Sequence, residues 1–383
     1  MNAEILEFLY NYAVEKRRAL HQYPEVGFDL PRTTALIESE LRSMGVEYTG
    51  KYGMCSVAAE LGQGEMCIAL RADSDALPVE EKTGLPYASK NPGMMHACGH
   101  DSHTAVLLAV AKYLKNHESE LKCRIRLIFQ PSEEGAVSGA KMMVDNGVMD
   151  DVDIIVGVHC DNDIEAGFIG LCPGDYQAAC IPATIRFKGR SAHAALPEGG
   201  IDAIAMAAEA YAEMKQMVRE EAGGVPYIWS VGRFQGGHVH NVIADLCEMD
   251  ISFRFYDMPF AKRVEKRVFE ICDGIAERYG GSVDYDWHMS TGPVFNDPEI
   301  TEQIRRISEA AGLKTCAMPR RMSSEDFGWY LEKAPGALFR FGTRNESLGC
   351  NTLAHRSDFC IDESGMRAAI QAFVALAYNY ERR

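Results

Sequence analysis

The chain has 383 residues, 47% of them hydrophobic, and a formal net charge of -16; this exceeds the length at which single cores usually stop growing and points to two domains. Lysine and arginine are interspersed among the acids with no basic stripe, which argues against nucleic acid or an anionic membrane as partner and favours a small-molecule substrate. Twelve cysteines, among them Cys55, Cys123, Cys180, Cys272 and Cys360, are scattered without a C-x-x-C pair or a signal peptide, and read as mostly buried free thiols of a cytosolic protein.

Met1 to Arg18 has apolar residues at Leu6, Leu9 and Ala13 with charges between, the pattern of a surface helix. Thr33 to Ser43 and His103 to Leu114 are predicted helices, while Ser56 to Leu61, Met66 to Arg71, Arg124 to Phe129 and Ile154 to His159 read as buried or half-buried strands. The alternation suggests an α/β sheet with helices on its faces. The longest apolar run, Ala105 to Leu114, contains Lys112 and falls short of the roughly 18 to 20 residues of a membrane-spanning helix.

Residues 182–290 are patterned more sharply. Pro182 to Phe187 is a strand, and Asp202 to Val218 a helix with Ile204, Ala208, Tyr211, Met214 and Val218 on one face. Tyr227 to Phe234 is strand-like; Met249, Ile251, Phe253 and Phe255 alternate with polar residues in another strand. Val264, Val268, Ile271 and Ile275 mark a second helix, and Val283, Tyr285 and Trp287 a final strand. The order β-α-β-β-α-β predicts a ferredoxin-like unit. With Glu299 to Ala311 and Ser364 to Tyr380 returning to helices, this unit is expected to be inserted into a discontinuous larger domain of residues 1–181 and 291–383.

Two stretches carry the chemistry: Met95 to Asp101 (M-H-A-C-G-H-D) and Phe129 to Gly135 (F-Q-P-S-E-E-G). Cys98 and His100 precede a helix expected to start near Ser102, and a buried Cys beside a capping His is the competing account. Glu133 and Glu134 follow one strand and His159 ends another; strand C-termini line the ligand crevice of open α/β sheets, so these groups can converge. His355, in T-L-A-H, is a further candidate. Such a set supplies soft and borderline ligands for a divalent cation and a spare carboxylate base.

With these segments on view, the chain resembles the M20 family of metallopeptidases. It is most similar to the amidohydrolase branch of N-acyl-amino-acid, hippurate and indole-acetyl-amino-acid hydrolases. The likeness runs nearly end to end through R-A-L-H-Q-Y-P-E at 18–25, L-R-A-D-S-D-A-L-P at 70–78, the two stretches above, G-V-H at 157–159, G-R-S-A-H-A-A-L-P at 189–197 and S-S-E-D-F at 324–328. It implies a binuclear site with Cys98, His100, Glu134, His159 and His355 as ligands and Glu133 as general base toward a metal-bound water. Thiolate and imidazole favour zinc, and the resemblance favours manganese. It further implies that residues 182–290 form a dimerisation and lid domain, from which His193 reaches the partner subunit's active site and stabilises the oxyanion, while Asn241 and Arg254 hold the substrate carboxylate. A solvated loop histidine and an ordinary exposed strand face are the competing readings for His193 and Arg254.

There are departures. Arg71-Ala72-Asp73 stands where many relatives have a His-x-Asp pair, Ala244 replaces the proline of N-V-I-P, and Glu198 a common histidine. Asp73 and Asp101 are candidates for supporting the ligands, with surface or capping roles as the alternative. His21, His238, His240 and His288 are expected to be structural. The reading is a cytosolic, homodimeric or higher-order amidohydrolase of N-acyl-amino acids. Its rivals are an N-acetyl-diaminopimelate-type deacetylase, a hippurate hydrolase, a dipeptidase and an inactive small-molecule-binding protein.

Overall fold

The computed structural model describes residues 1–381. Its first elements are α1 (Ala3–His21), α2 (Pro31–Ser43), β1 (Tyr48–Thr49), β2 (Val57–Leu61), β3 (Cys67–Asp73), α3 (His100–Asn116), β4 (Arg124–Gln130), α4 (Gly139–Asp145), β5 (Ile154–Glu165), β6 (Phe168–Leu171), β7 (Gly174–Gln177) and β8 (Ala179–Lys188). Then come α5 (Ala203–Ala222), β9 (Tyr227–Gly236), β10 (Leu246–Phe255), α6 (Met258–Tyr279), β11 (Ser282–Trp287), β12 (Val294–Asn296), α7 (Pro298–Ala310), β13 (Lys314–Ala317), α8 (Gly328–Leu331), β14 (Gly336–Arg344) and α9 (Met366–Asn379). They form two compact units. One holds Met1–Tyr176, Val294–Arg320 and the chain from Asp326 on; the other holds Gln177–Pro293 and the short return Arg321–Glu325.

The first unit is built on an eight-stranded sheet of order β1-β2-β4-β3-β5-β14-β6-β13. Its centre is parallel: β3 pairs with β4 on one side and β5 on the other, and β5 with β14. All seven residues of β3 are buried, as expected of a strand covered on both faces. Helix α3 packs against β3, α1 and α9, and thirteen of its seventeen residues are buried. Such a helix must be apolar on every side beyond its polar first turn, which accounts for the long uncharged run after His103. The helix starts at His100 instead of near Ser102, because Gly99 in a left-handed conformation (φ 82°) turns the chain into it. In α1, Leu9 and Ala13 are buried as the periodicity predicts, but Arg17 and His21 are buried too, each held by Asp101 of α3, at 3.0 Å from Arg17 Nε and 2.7 Å from His21 Nδ1.

The second unit is an antiparallel sheet of order β11-β8-β10-β9. With α5 and α6 on one face it is the ferredoxin-like β-α-β-β-α-β unit. Met249, Ile251, Phe253 and Phe255 of β10 point into its core, as do Val264, Val268, Ile271 and Ile275 of α6. The opposite face is polar, with Arg233 and Arg186 paired to Glu248 and Arg233 also to Asp250.

The buried stripe of α5 differs from the expected one. Met214 and Val218 are inside, but the rest of the stripe is Ala203, Met206, Ala207, Ala210, Met217 and Ala222, whereas Ile204 is 40% exposed and Ala208 also faces outward. Small residues let the helix approach the sheet closely, so bulk is a poor guide to its inner face. Met206→Ala should therefore lower stability by about 2 to 5 kcal/mol, and Ile204→Ala by less than about 0.5 kcal/mol, in denaturant unfolding; equal losses would contradict this orientation of α5.

Candidate metal centre

Four chain segments at the C-terminal end of the parallel strands bring the candidate side chains together. The first follows β3 and ends in Cys98-Gly99-His100. A Cβ on Gly99 would sit 2.4 Å from Cys160 Sγ, so only glycine lets the backbone pass this strand while presenting a thiol before it and an imidazole after it. The second leaves β4: Ser132 adopts a left-handed conformation (φ 51°), and Asp75 accepts the backbone N–H groups of Glu133 at 3.0 Å and Glu134 at 3.1 Å. Gly139 closes this loop against the Pro131 carbonyl, which a Cβ would meet at 1.7 Å. The third is β5, carrying His159. The fourth is the loop after β14, where His355 (φ 68°) donates its N–H to the Ala97 carbonyl at 2.8 Å.

Cys98 lies in two clusters, one with His100 and His159 and the other with Glu134 and His355, the donor atoms of each within 4.8 Å of one another. Its Sγ is 3.5 Å from His159 Nε2, and His355 Nε2 is 2.9 Å from Glu134 Oε1. His100 Nε2 is 3.9 Å from Glu133 Oε2 and 4.0 Å from Glu134 Oε1. His100, Cys98 and His159 are buried, whereas the His355 side chain is 54% exposed.

Hydrogen bonds and nearby charge separate the imidazoles. His159 Nδ1 lies 2.6 Å from the Cys160 carbonyl, so it carries the proton and leaves the Nε2 lone pair facing Cys98. Burial, then the Arg340 charge and His103, hold His159 well below the usual imidazole range, in its neutral form. His100 is opposite in character. Burial would lower it, but Asp73, Asp75 and Glu134 outweigh that and raise it to about 10, and neither ring nitrogen makes a hydrogen bond although the ring is buried. Burial, followed by repulsion from Glu134 and Glu133, pushes the Cys98 thiol far up. A divalent cation held among Cys98, His100 and the carboxylates would supply the positive charge that a thiolate here requires. The donor set thus fits a metal pair.

His103, one helical turn after His100, is a residue that sequence reasoning overlooked. It belongs to clusters with Asp73 and with His159 and Cys160, but both its nitrogens are engaged: Nε2 accepts the Cys160 N–H at 2.7 Å and Nδ1 donates to Asp73 at 2.5 Å. It therefore positions β5. Its i, i+3 spacing from His100 was the available signal. Asp75 was equally missed, and His96, buried with neither nitrogen hydrogen-bonded, is pushed by burial down to about 3.

Arg71 is fully buried and donates to Asp73 (2.8 Å), Gln130 (2.8 Å) and Asp326 (3.1 Å). Asp326 also accepts from Ser138 Oγ and the Ala140 N–H at the start of α4. Asp73 thus supports the cluster through His103, whereas Asp101 ties α1 to α3.

The remaining candidates lie in the second unit. His193 is exposed and accepts the Ala195 N–H on Nδ1 at 3.1 Å. It forms a bridge with Val242, beside Asn241, whose carbonyl accepts the Ala194 N–H. Arg254 Nη1 donates to the Met322 carbonyl at 3.0 Å and to Ser324 Oγ at 2.8 Å.

The sequence matches the profile of Peptidase family M20/M25/M40 over residues 69–379. It is 38% identical to the N-acetyl-L-cysteine deacetylase of Bacillus subtilis, across 91% of this chain and 83% of that protein. Among solved structures, a putative aminohydrolase from methicillin resistant Staphylococcus aureus superposes with a TM-score of 0.94 at 29% identity, covering 99% of this chain and 100% of its own. The YXEP protein of Bacillus subtilis, a dinuclear metal binding peptidase from the M20 family, does so with a TM-score of 0.83 at 32% identity, over 97% and 98%. The chain belongs to the M20 peptidase family and is a metal-dependent hydrolase of amide bonds, which sets aside the inactive binding protein.

Removing the guanidinium while keeping its bulk, in Arg71→Met, leaves Asp73 and Asp326 without their buried counter-charge and should cost about 3 to 5 kcal/mol of stability. Denaturant unfolding checks this, and a loss below about 1 kcal/mol would show that the network does not hold the sheet end together.

Proposed function

We propose that this protein hydrolyses the amide bond of N-acyl-amino acids at two divalent cations, manganese or zinc, held by Cys98, His100, Glu134, His159 and His355. The observation that carries the reading is the position of Cys98, shared between a His100–His159 cluster and a Glu134–His355 cluster. Cys98 would serve both sets, and two divalent cations held there would supply Lewis-acid polarisation and an acidified water. Similarity to an N-acetyl-L-cysteine deacetylase supports an acylated amino acid as substrate.

When bound, the cations polarise the scissile carbonyl and acidify a water. Glu134 is engaged with His355, whereas the neighbouring Glu133 takes the proton of the attacking water and returns it to the leaving nitrogen. His193 has Nδ1 occupied as an acceptor, so its neutral ring carries the proton on Nε2, where it acts as a donor to the developing oxyanion. Arg254 spends Nη1 on Met322 and Ser324. The edge formed by Nε and Nη2 holds the substrate carboxylate as a bidentate donor, and Asn241 assists.

The partner is a second copy of the chain, joined through the inserted unit. Strand β9 is an edge of its sheet, and Ile204, Ile228 and Phe234 are exposed there or on the adjoining α5. An unpaired edge with apolar side chains favours self-association. The twelve free cysteines suit a reducing cytoplasm.

Chelation should abolish hydrolysis of a panel of N-acyl-amino acids and divalent cation should restore it; full turnover in protein shown to be metal-free would overturn the reading. Glu133→Gln should keep its metal while turnover falls by about two to four orders of magnitude. Metal loss in that variant would instead assign Glu133 as the ligand.

The shared site has its own test. His193→Ala and Glu133→Gln homodimers should each be nearly inactive, and mixing them should restore appreciable activity through the heterodimeric site that holds both wild-type residues. Heterodimers that form without recovery would return His193 to a role within its own chain.

A further inference from the structure

We infer that Cys350 and Cys360 form a redox-active dithiol that small-molecule disulfides oxidise to an intramolecular disulfide, stapling the neck of the loop that carries His355. The two Sγ atoms are 3.1 Å apart, so bonding at about 2.05 Å requires a closure of only about 1 Å. The loop is already drawn together at this point. Asn162 Nδ2 donates to the carbonyls of both Thr352 (2.9 Å) and Cys360 (2.8 Å), and Thr352 Oγ1 donates to the Asp358 carbonyl at 3.2 Å. Cys350 is anchored by reciprocal backbone bonds with Asn345, at 2.8 and 2.9 Å. The tip beyond this neck is exposed at His355 and Arg356 and is tied down by the His355 N–H on the Ala97 carbonyl and the Lys82 N–H on the Ser357 carbonyl.

The two thiols are not equivalent. Cys350 is 5% exposed, whereas Cys360 is partly exposed and can be reached by a small reagent. The neighbouring Cys350 thiol and the Arg17 charge lower Cys360 below the usual thiol range against the opposing effect of burial. Cys360 is thus the attacking thiolate and Cys350 the resolving one.

In the first step the Cys360 thiolate attacks one sulfur of the external disulfide, forming a mixed disulfide and expelling one small thiolate. Cys350 then attacks the Cys360 sulfur, its proton passing to the second small thiolate as that leaves. The two protein thiols supply two electrons, the external disulfide accepts them, and two small thiols are released. No step passes through the metal centre, so the exchange stands or falls independently of the proposed hydrolysis.

The full-length protein is incubated with excess oxidised glutathione as the probe and analysed by thiol titration, peptide mapping and hydrogen exchange. Titratable thiols should fall from twelve to ten, with one cross-link joining Cys350 to Cys360. Cys350→Ser should stop at a glutathione adduct on Cys360, while Cys360→Ser should leave Cys350 unmodified. Backbone amides of the loop between the two cysteines should exchange about tenfold more slowly after oxidation, the closed neck having removed open states from the loop. Failure of the cross-link to form, or an adduct on Cys350 in the Cys360→Ser variant, would overturn the dithiol. A cross-link with unchanged exchange would overturn the stapling of the loop.

Discussion

A guanidinium buried in the middle of a sheet cannot be left uncompensated, and Arg71 is fully enclosed on β3. Its cost in desolvation is offset only by well-placed carboxylates, and Asp73 and Asp326 provide them. Each carboxylate is then committed in a second direction. Asp73 orients His103, whose other nitrogen holds the Cys160 N–H and so fixes the stretch of β5 beside His159. Asp326 takes the Ser138 hydroxyl and the Ala140 N–H, which anchors the far end of the Glu133–Glu134 loop. One cation therefore sets two of the walls of the candidate centre. Arg71, noted in the sequence as a departure from a His-x-Asp pair, is thus a structural cation.

The same region separates its histidines by charge. His159, near Arg340, is kept neutral, His100 is drawn toward its charged form by carboxylates, and His103 is locked between an acid and a backbone amide. Three imidazoles within a few ångströms thus have three different roles. Chemical type alone did not separate them. Hydrogen-bond partners did so for His159 and His103, and facing carboxylates for His100.

Much of this was legible in the sequence because it depended on local pattern. Strict alternation in β10 and β11 and the 3.6-residue period of α6 read directly as a ferredoxin-like unit. The expectation that the candidate ligands converge followed from the strand ends of an α/β sheet, although Cys98 lies on the loop into α3, His100 at the start of α3, His159 within β5 and His355 on the loop after β14. What was not legible depended on tertiary partners. The inner face of α5 is chosen by small residues, so a prediction from bulky ones turned the helix toward Ile204. His103 and Asp75 gain their roles from Cys160 and from the backbone of Glu133 and Glu134, contacts between segments far apart in sequence. Arg17 fell among the charges of an expected surface helix and His21 was expected only to be structural, whereas Asp101 on α3, with Glu363 and Glu81, accounts for their burial.

Among the described residues, two of the four non-glycine positions with positive φ, Ser132 and His355, stand on loops that deliver candidate catalytic groups. A left-handed conformation costs a side-chain-bearing residue on the order of 1 to 2 kcal/mol, so folding energy is stored where side-chain placement has to be most exact. Glycine would release that strain at either position, and at His355 it would also delete the imidazole. Thermostability engineering that relaxes strained positions would lose a thiol contact to Phe28 at Cys55 and ion pairs with Arg124 and Arg126 at Asp151, but at the Ser132 and His355 loops it would exchange a rigid wall of the candidate site for a softer one.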